Sequence, residues 1–220
     1  MKMAVQSYKV VYKSGEAEII EKKSRFIAHV APAQTEEEAL AFIEEIKKKY
    51  WDARHNCTAY SVGIEQPVLR CSDDGEPSKT AGMPMMEVIQ GEGLHNVVVV
   101  VTRYFGGTLL GTGGLIRAYT RSTQEGIRNS QVITKHLGQR LNIRCDYAAS
   151  GKIQYLTASE NIPVLGTEYT DTVTFDLIVP KEQTEWVKKQ CMEVSGGKAQ
   201  IEEMEETYFA EIEGEVKIFA

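Results

Sequence analysis

The hydrophobic period changes several times along this chain, and each change marks an element. Residues 96–103 are almost continuously β-branched, the pattern of a strand covered on both faces. Residues 17–30 also read as strand material, with a turn signal at Ser14-Gly15. Thr35 is followed by Glu36, Glu37 and Glu38, and then Leu40, Phe42, Ile43 and Ile46 recur at helical spacing. A threonine with a glutamate three residues on is a capping box, so a helix is predicted to start there. Its glutamates sit near the positive end of the helix dipole and Lys47, Lys48 and Lys49 near the negative end. That charge order stabilises the helix and needs no partner to explain it.

Residues 56–64 and 68–71 read as a hairpin across Gln66-Pro67, and residues 72–79 as a polar loop shaped by Gly75 and Pro77. A helix is predicted over 80–90, burying Met83, Met86, Val88 and Ile89 and ending at Gly91 and Gly93. A glycine-rich stretch covers 106–114, and a long helix follows over about 115–129. From residue 134 the order becomes strand (135–146), helix (149–159), strand (162–169), strand (172–179), helix (181–193) and strand (198–212). That order is the split βαβ, ferredoxin-like pattern. The expectation is therefore an α+β chain of two domains, 1–133 and 134–220, with neither a tandem repeat nor a low-complexity linker.

Composition agrees with packed cores: 42% of the 220 residues are hydrophobic and 25% charged. No apolar run approaches the ~20 residues that span a bilayer. No signal-peptide h-region follows the N-terminal lysine, so a cytoplasmic address without membrane contact is expected. Cys57, Cys71, Cys145 and Cys191 form no C-x-x-C pair and read as reduced thiols, with neither a disulfide nor a zinc site expected. The net charge of −6 opposes nucleic-acid binding only at first sight. Residues 1–133 hold 16 basic and 16 acidic side chains, and residues 134–220 hold 9 and 15. The imbalance lies chiefly at 202–215, where charged and apolar residues partly alternate as in a half-exposed strand.

Two segments are more specific than any of this. One is Ser72-Asp73-Asp74-Gly75-Glu76-Pro77-Ser78-Lys79-Thr80-Ala81-Gly82-Met83-Pro84. The other opens at Asn96 and continues through Thr102-Arg103-Tyr104-Phe105-Gly106-Gly107-Thr108-Leu109-Leu110-Gly111-Thr112-Gly113-Gly114-Leu115-Ile116-Arg117-Ala118-Tyr119. With Lys23-Ser24-Arg25-Phe26-Ile27-Ala28 and His55-Asn56-Cys57-Thr58-Ala59-Tyr60, they resemble the YigZ/IMPACT family over roughly the first 130 residues. The resemblance implies an N-terminal domain folded like the second domain of ribosomal protein S-five, with a left-handed βαβ crossover. It also implies a C-terminal ferredoxin-like domain similar to one in elongation factor G. Eukaryotic members of the family are implicated in translational control, but they carry an accessory domain that this chain lacks.

The residues themselves offer three candidate chemistries. Gly106, Gly107, Gly111, Gly113 and Gly114 lie between a buried strand and a helix, where exposed N–H groups favour an anion. The same glycines equally fit a tight turn with close helix–strand packing. The loop is neither a Walker loop nor G-x-G-x-x-G. Arg117, Arg121 and Arg128 fall on one helical stripe, with Leu115, Ile116, Tyr119 and Thr123 opposite. With Arg103 they suit phosphate, and Tyr104 and Phe105 could stack on bases. The alternative is a solvated helix face with two core aromatics. Asp73, Asp74 and Glu76 could hold Mg²⁺ or act as a general base, or simply shape their loop. They do not have EF-hand spacing. His55 and Cys57 share a strand face, but a buried thiol beside a capping histidine explains them, and the zinc-deaminase signature is absent. His29, His95 and His136 show no ligand spacing.

The leading expectation is a noncatalytic RNA- or ribosome-associated factor, with a role in translation regulation, that needs no cofactor. Its contact surface would centre on Arg103, Tyr104, the glycine loop, Arg117 and Arg121. The alternative is a small hydrolase or phosphate-ligand enzyme using Asp73, Asp74 and Glu76. A protein-interaction module is a third reading that the residues neither favour nor exclude.

Overall fold

The computed structural model describes residues 5–219; residues 1–4, part of the stretch read for a leader, and residue 220 lie outside the described residues. The chain forms two compact units. One is Tyr8–Thr134, and the other joins residues 135–219 to residues 5–7. Those first residues are tied in by backbone and hydroxyl: Leu137 N–H donates to Gln6 O at 2.8 Å and Tyr208 Oη to Val5 O at 2.8 Å.

The N-terminal unit runs β1 (Ser7–Lys13), β2 (Gly15–Glu21), β3 (Ser24–Pro32), α1 (Glu36–Lys49), β4 (His55–Val62), β5 (Val68–Ser72), α2 (Gly82–Gly91), β6 (Leu94–His95), β7 (Val97–Tyr104) and α3 (Thr112–Arg128). Its main sheet has the order β2-β3-β7-β4-β5, with every neighbouring pair antiparallel. β1 pairs in parallel with the short β6. The valine run occupies the centre for the reason its composition implies. Val97, Val99 and Val101 pack into a core with α2 and α3. Val98 and Val100 pack into a second core with α1. Thr35 caps α1, accepting from Glu38 N–H at 3.2 Å.

Three details depart from the sequence pattern. Residues 17–30 are not one strand: Lys22 and Lys23, at φ 45° and 69°, turn β2 tightly into β3. Such turns usually recruit glycine or asparagine, so lysine pairs give no local signal. Met83 is exposed, and Met85 takes the buried place in α2. α3 starts three residues earlier than expected, at Thr112, which puts Gly113 and Gly114 inside its first turn.

The C-terminal unit contains β8 (Gln131–Cys145), α4 (Tyr147–Ser159), β9 (Val164–Tyr169), β10 (Val173–Pro180), a 3-10 turn (Lys181–Gln183), α5 (Thr184–Val194), β11 (Gln200–Ile212) and β12 (Glu215–Phe219). Its strands lie in the order β9-β10-β8-β11-β12, all antiparallel to their neighbours. Leu141, Ile143, Phe175 and Leu177 face Ile153 and Leu156 of α4 and Val187 and Cys191 of α5, which makes one core. Asp146 caps α4 by accepting from Ala149 N–H at 2.8 Å. β12 was not foreseen; it returns from β11 through Glu213 and Gly214, both at positive φ.

Three glutamates of the acidic stretch are paired where they lie. Glu203 pairs with Lys188 at 2.5 Å, Glu205 with Arg140 at 3.0 Å and Glu206 with Lys181 at 2.7 Å. All four cysteines are free, and Cys71 is the exposed one. No helix among the described residues is long and apolar enough to cross a membrane.

Candidate nucleic-acid interface

Arg103 occupies a different environment from the one its place at a strand end implies. Alternation along β7 puts it on the face of Val99 and Val101, beneath α2 and α3. Its cross-strand neighbours are Phe26 on β3 and His55 on β4. The residue is only 7% exposed. Its Nη1 donates to Glu76 Oε1 at 2.6 Å, and its guanidinium carbon lies 5.4 Å from the Phe26 ring centre and 5.7 Å from that of Phe105. Tyr119 Oη donates to the same glutamate oxygen at 2.8 Å. Tyr119 in turn packs edge-on against Phe26. The thiol of Cys57 lies 3.3 Å from Tyr119 Oη and 3.0 Å from Asp73 O. Burial raises both the Cys57 and the Tyr119 pKa well above their ordinary ranges, so both stay protonated. A thiol held this way is inert as a nucleophile.

The other two acids of the loop also have internal partners. Asp73 accepts from the N–H groups of Lys79 at 2.7 Å, Ala81 at 3.0 Å and Gly82 at 2.8 Å, which ties the loop to the start of α2. Asp74 accepts from Asn56 N–H at 2.7 Å and stands 3.5 Å from Lys47 Nζ. His55 Nδ1 meets Asp74 O at 2.9 Å. Asp73, Asp74 and Glu76 thus serve three separate sets of donors. Among the described residues no cluster of three His, Cys, Asp or Glu side chains is arranged for a metal ion.

The glycine loop divides by function. Gly106 lies against the β2–β3 turn so closely that a Cβ there would collide with the Lys23 backbone, and its N–H donates to Ser24 Oγ at 3.1 Å. Gly107 and Gly111 have φ of 83° and 72°, with open space around them. Gly111 is the N-cap of α3 and supplies no side chain to cap it. The exposed first turn of this 17-residue helix therefore has no side-chain cap among the described residues. Arg117 Nη1 would lie 3.5 Å from a Cβ placed on Gly113, which sets that guanidinium over the first turn.

Five of the predicted contact residues line two different hollows, Arg103 and Tyr104 one and Gly114, Arg117 and Arg121 the other, whereas Gly106, Gly107, Gly111 and Gly113 line neither. The larger, of about 640 Å³, is lined by Asp52, Arg54, His55, Arg103, Tyr104, Phe105 and Leu109. The smaller, of about 200 Å³, is lined by Lys22, Leu110, Gly114, Arg117 and Arg121, with Ile19, Glu21 and Ala118. Of two adjacent residues, Leu109 lines the larger and Leu110 the smaller. Arg117 and Arg121 are exposed and have no ion-pair partner among the described residues, whereas Arg128 pairs with Glu125 at 2.7 Å. Ile116, expected on the buried side of α3, is 39% exposed. Tyr104 is half-buried, donates to Asp52 Oδ1 at 2.7 Å and is pushed up to about 12 by that hydrogen bond. The sequence reading left out Lys22, Arg54 and Leu109. An apolar pair inside a glycine-rich loop was the available signal for Leu109.

Comparison with known proteins identifies the family of the chain. The Impact N-terminal domain profile matches residues 22–127, and that of a domain of unknown function (DUF1949) matches residues 143–198. The chain belongs to the IMPACT family, in its bacterial two-domain form. It is 40% identical to IMPACT family member YvyE of Bacillus subtilis, over 97% of this chain and 98% of that protein. It is 33% identical to IMPACT family member YigZ of Escherichia coli, over 84% of this chain and 92% of that one. A crystal structure of a hypothetical protein superposes with a TM-score of 0.58 at 30% identity, covering 91% of this chain and 98% of that one.

Proposed function

We propose that the chain is a noncatalytic RNA- or ribosome-associated factor whose contact surface lies on the N-terminal unit. The observation that carries this reading is the uncapped start of α3, with the Arg117 guanidinium over its first turn and Arg121 and Lys22 lining the same hollow. Uncapped amide hydrogens and unpaired cations in one place are the combination that receives phosphate. Two further features support a translational setting. The sheet of the C-terminal unit places its first four strands in spatial order 4-1-3-2, which fits a ferredoxin-like domain of the elongation-factor kind. The N-terminal sheet, with β3 and β4 parallel on either side of β7 and α1 between them in sequence, fits the βαβ core of the ribosomal-protein-like fold. Fold likeness by itself is a weak warrant for function, so the claim rests on the surface.

The test is titration of the full chain with single-stranded and duplex RNA across a salt series. Affinity should fall steeply with salt. In the double variant Arg117→Ala, Arg121→Ala the log–log slope for single strands should shrink by about 1.4, at about 0.7 per lost phosphate contact. Absence of binding at low salt, or an unchanged slope in that variant, overturns the reading.

A further inference from the structure

We infer that the larger hollow is a nucleotide subsite: it takes one unstacked base against Phe105 and Leu109, and the attached phosphate on the Arg54 side. The inference rests on the RNA-binding reading above and names what a second part of that surface does. Phe105 is 56% and Leu109 83% exposed, although both are large and apolar. They sit beside cations, and they line a cavity whose volume falls within the usual range of small-ligand sites. Apolar faces framed by arginine are what a base with its phosphate requires, because every base offers a π-face and every nucleotide a negative charge.

Arg103 supplies the independent observation. Its side chain is more than nine-tenths buried, it lines this hollow, and its Nε–H finds no hydrogen-bond acceptor among the described residues. A buried donor left unmet is costly; that atom is closed to solvent, so an acceptor on a base edge entering the hollow would meet the guanidinium where it lines the hollow. Glu76 and the Phe26 ring fix the guanidinium before any ligand arrives, so little side-chain entropy is lost on binding. Asp52, which accepts from Tyr104 Oη, also lines the hollow, and the phosphate is assigned to the Arg54 side for that reason. Single-stranded RNA or a free mononucleotide could each provide this unit, and their shared chemistry is the claim.

The experiment compares Phe105→Leu, Leu109→Ala and Arg54→Ala with the wild type. All three side chains are exposed, so folding is preserved. Fluorescence anisotropy reads binding of a single-stranded oligoribonucleotide and of a duplex of equal length, and calorimetry reads AMP and UMP. The expected result is about tenfold weaker single-strand binding in Phe105→Leu, with duplex affinity and salt slope unchanged. If RNA binds but the three variants weaken single strand and duplex equally, or neither, the subsite is refuted while the RNA-binding reading stands. If RNA does not bind but a mononucleotide does, and Phe105→Leu abolishes that, the hollow is a free-nucleotide site and the RNA reading falls. If neither binds, both fall.

Discussion

Arg103 and the pair Arg117 and Arg121 carry the same guanidinium in opposite settings. The first is buried, held by Glu76 and covered by aromatic rings. The pair stands in water with no carboxylate within ion-pair distance among the described residues. A buried, paired arginine has already given up its hydration and contributes orientation and shape. A solvated one keeps its charge available and releases counterions from a phosphate backbone. One short loop thus lies between a buried, internally held guanidinium and two solvated ones. An arginine in a promising motif can be either, and only its neighbours decide.

The largest effect that would sharpen this contrast is Glu76→Ala. It leaves the Arg103 charge buried without its partner and Tyr119 Oη without its acceptor, so stability should fall by about 3–5 kcal/mol in urea denaturation. The double variant Glu76→Gln, Arg103→Met should recover most of that loss, because no buried charge remains. Next comes Tyr119→Phe, which removes one hydrogen bond to a charged group at constant packing. Its expected cost is about 1.5–3 kcal/mol by the same measurement. Arg117→Ala with Arg121→Ala should stay within about 0.5 kcal/mol of the wild type in stability. If that pair costs as much as Glu76→Ala, the exposed arginines are structural after all and the contrast breaks. The smallest effect is spectroscopic. The Asp52 carboxylate stabilises the neutral phenol of Tyr104, so its pKa lies above the free value. Asp52→Asn should move the Tyr104 phenolate transition, read by ultraviolet titration, down from about 12 towards the usual value near 10. No movement would mean the hydrogen bond does not persist in solution.

Much of the architecture was legible where local pattern and tertiary role coincide. The Thr35 capping box started a helix, the valine run took the middle of a two-faced sheet, and the C-terminal element order matched within a few residues. The outward arginine stripe on α3 was also readable, because helical period alone decides it. What was not legible depended on partners far away in sequence. Arg103 meets Glu76 across 27 positions, and no local feature distinguishes it from the arginines after it. The Lys22–Lys23 turn lacked the residues that mark such turns, so two strands read as one. Asp73 looked like a ligand donor because an N-terminal acceptor for α2, eight and nine residues onward, has the same composition as one.

Gly106 has a consequence for how the two hollows relate. It meets the Lys22–Lys23 turn with main chain on main chain, and no side chain lies between them. The loop that contributes Leu109 to one hollow and Leu110 to the other is therefore anchored to that turn by backbone contact and by the hydrogen bond to Ser24. Any side chain at residue 106 would force the loop off the turn and so move both hollows at once.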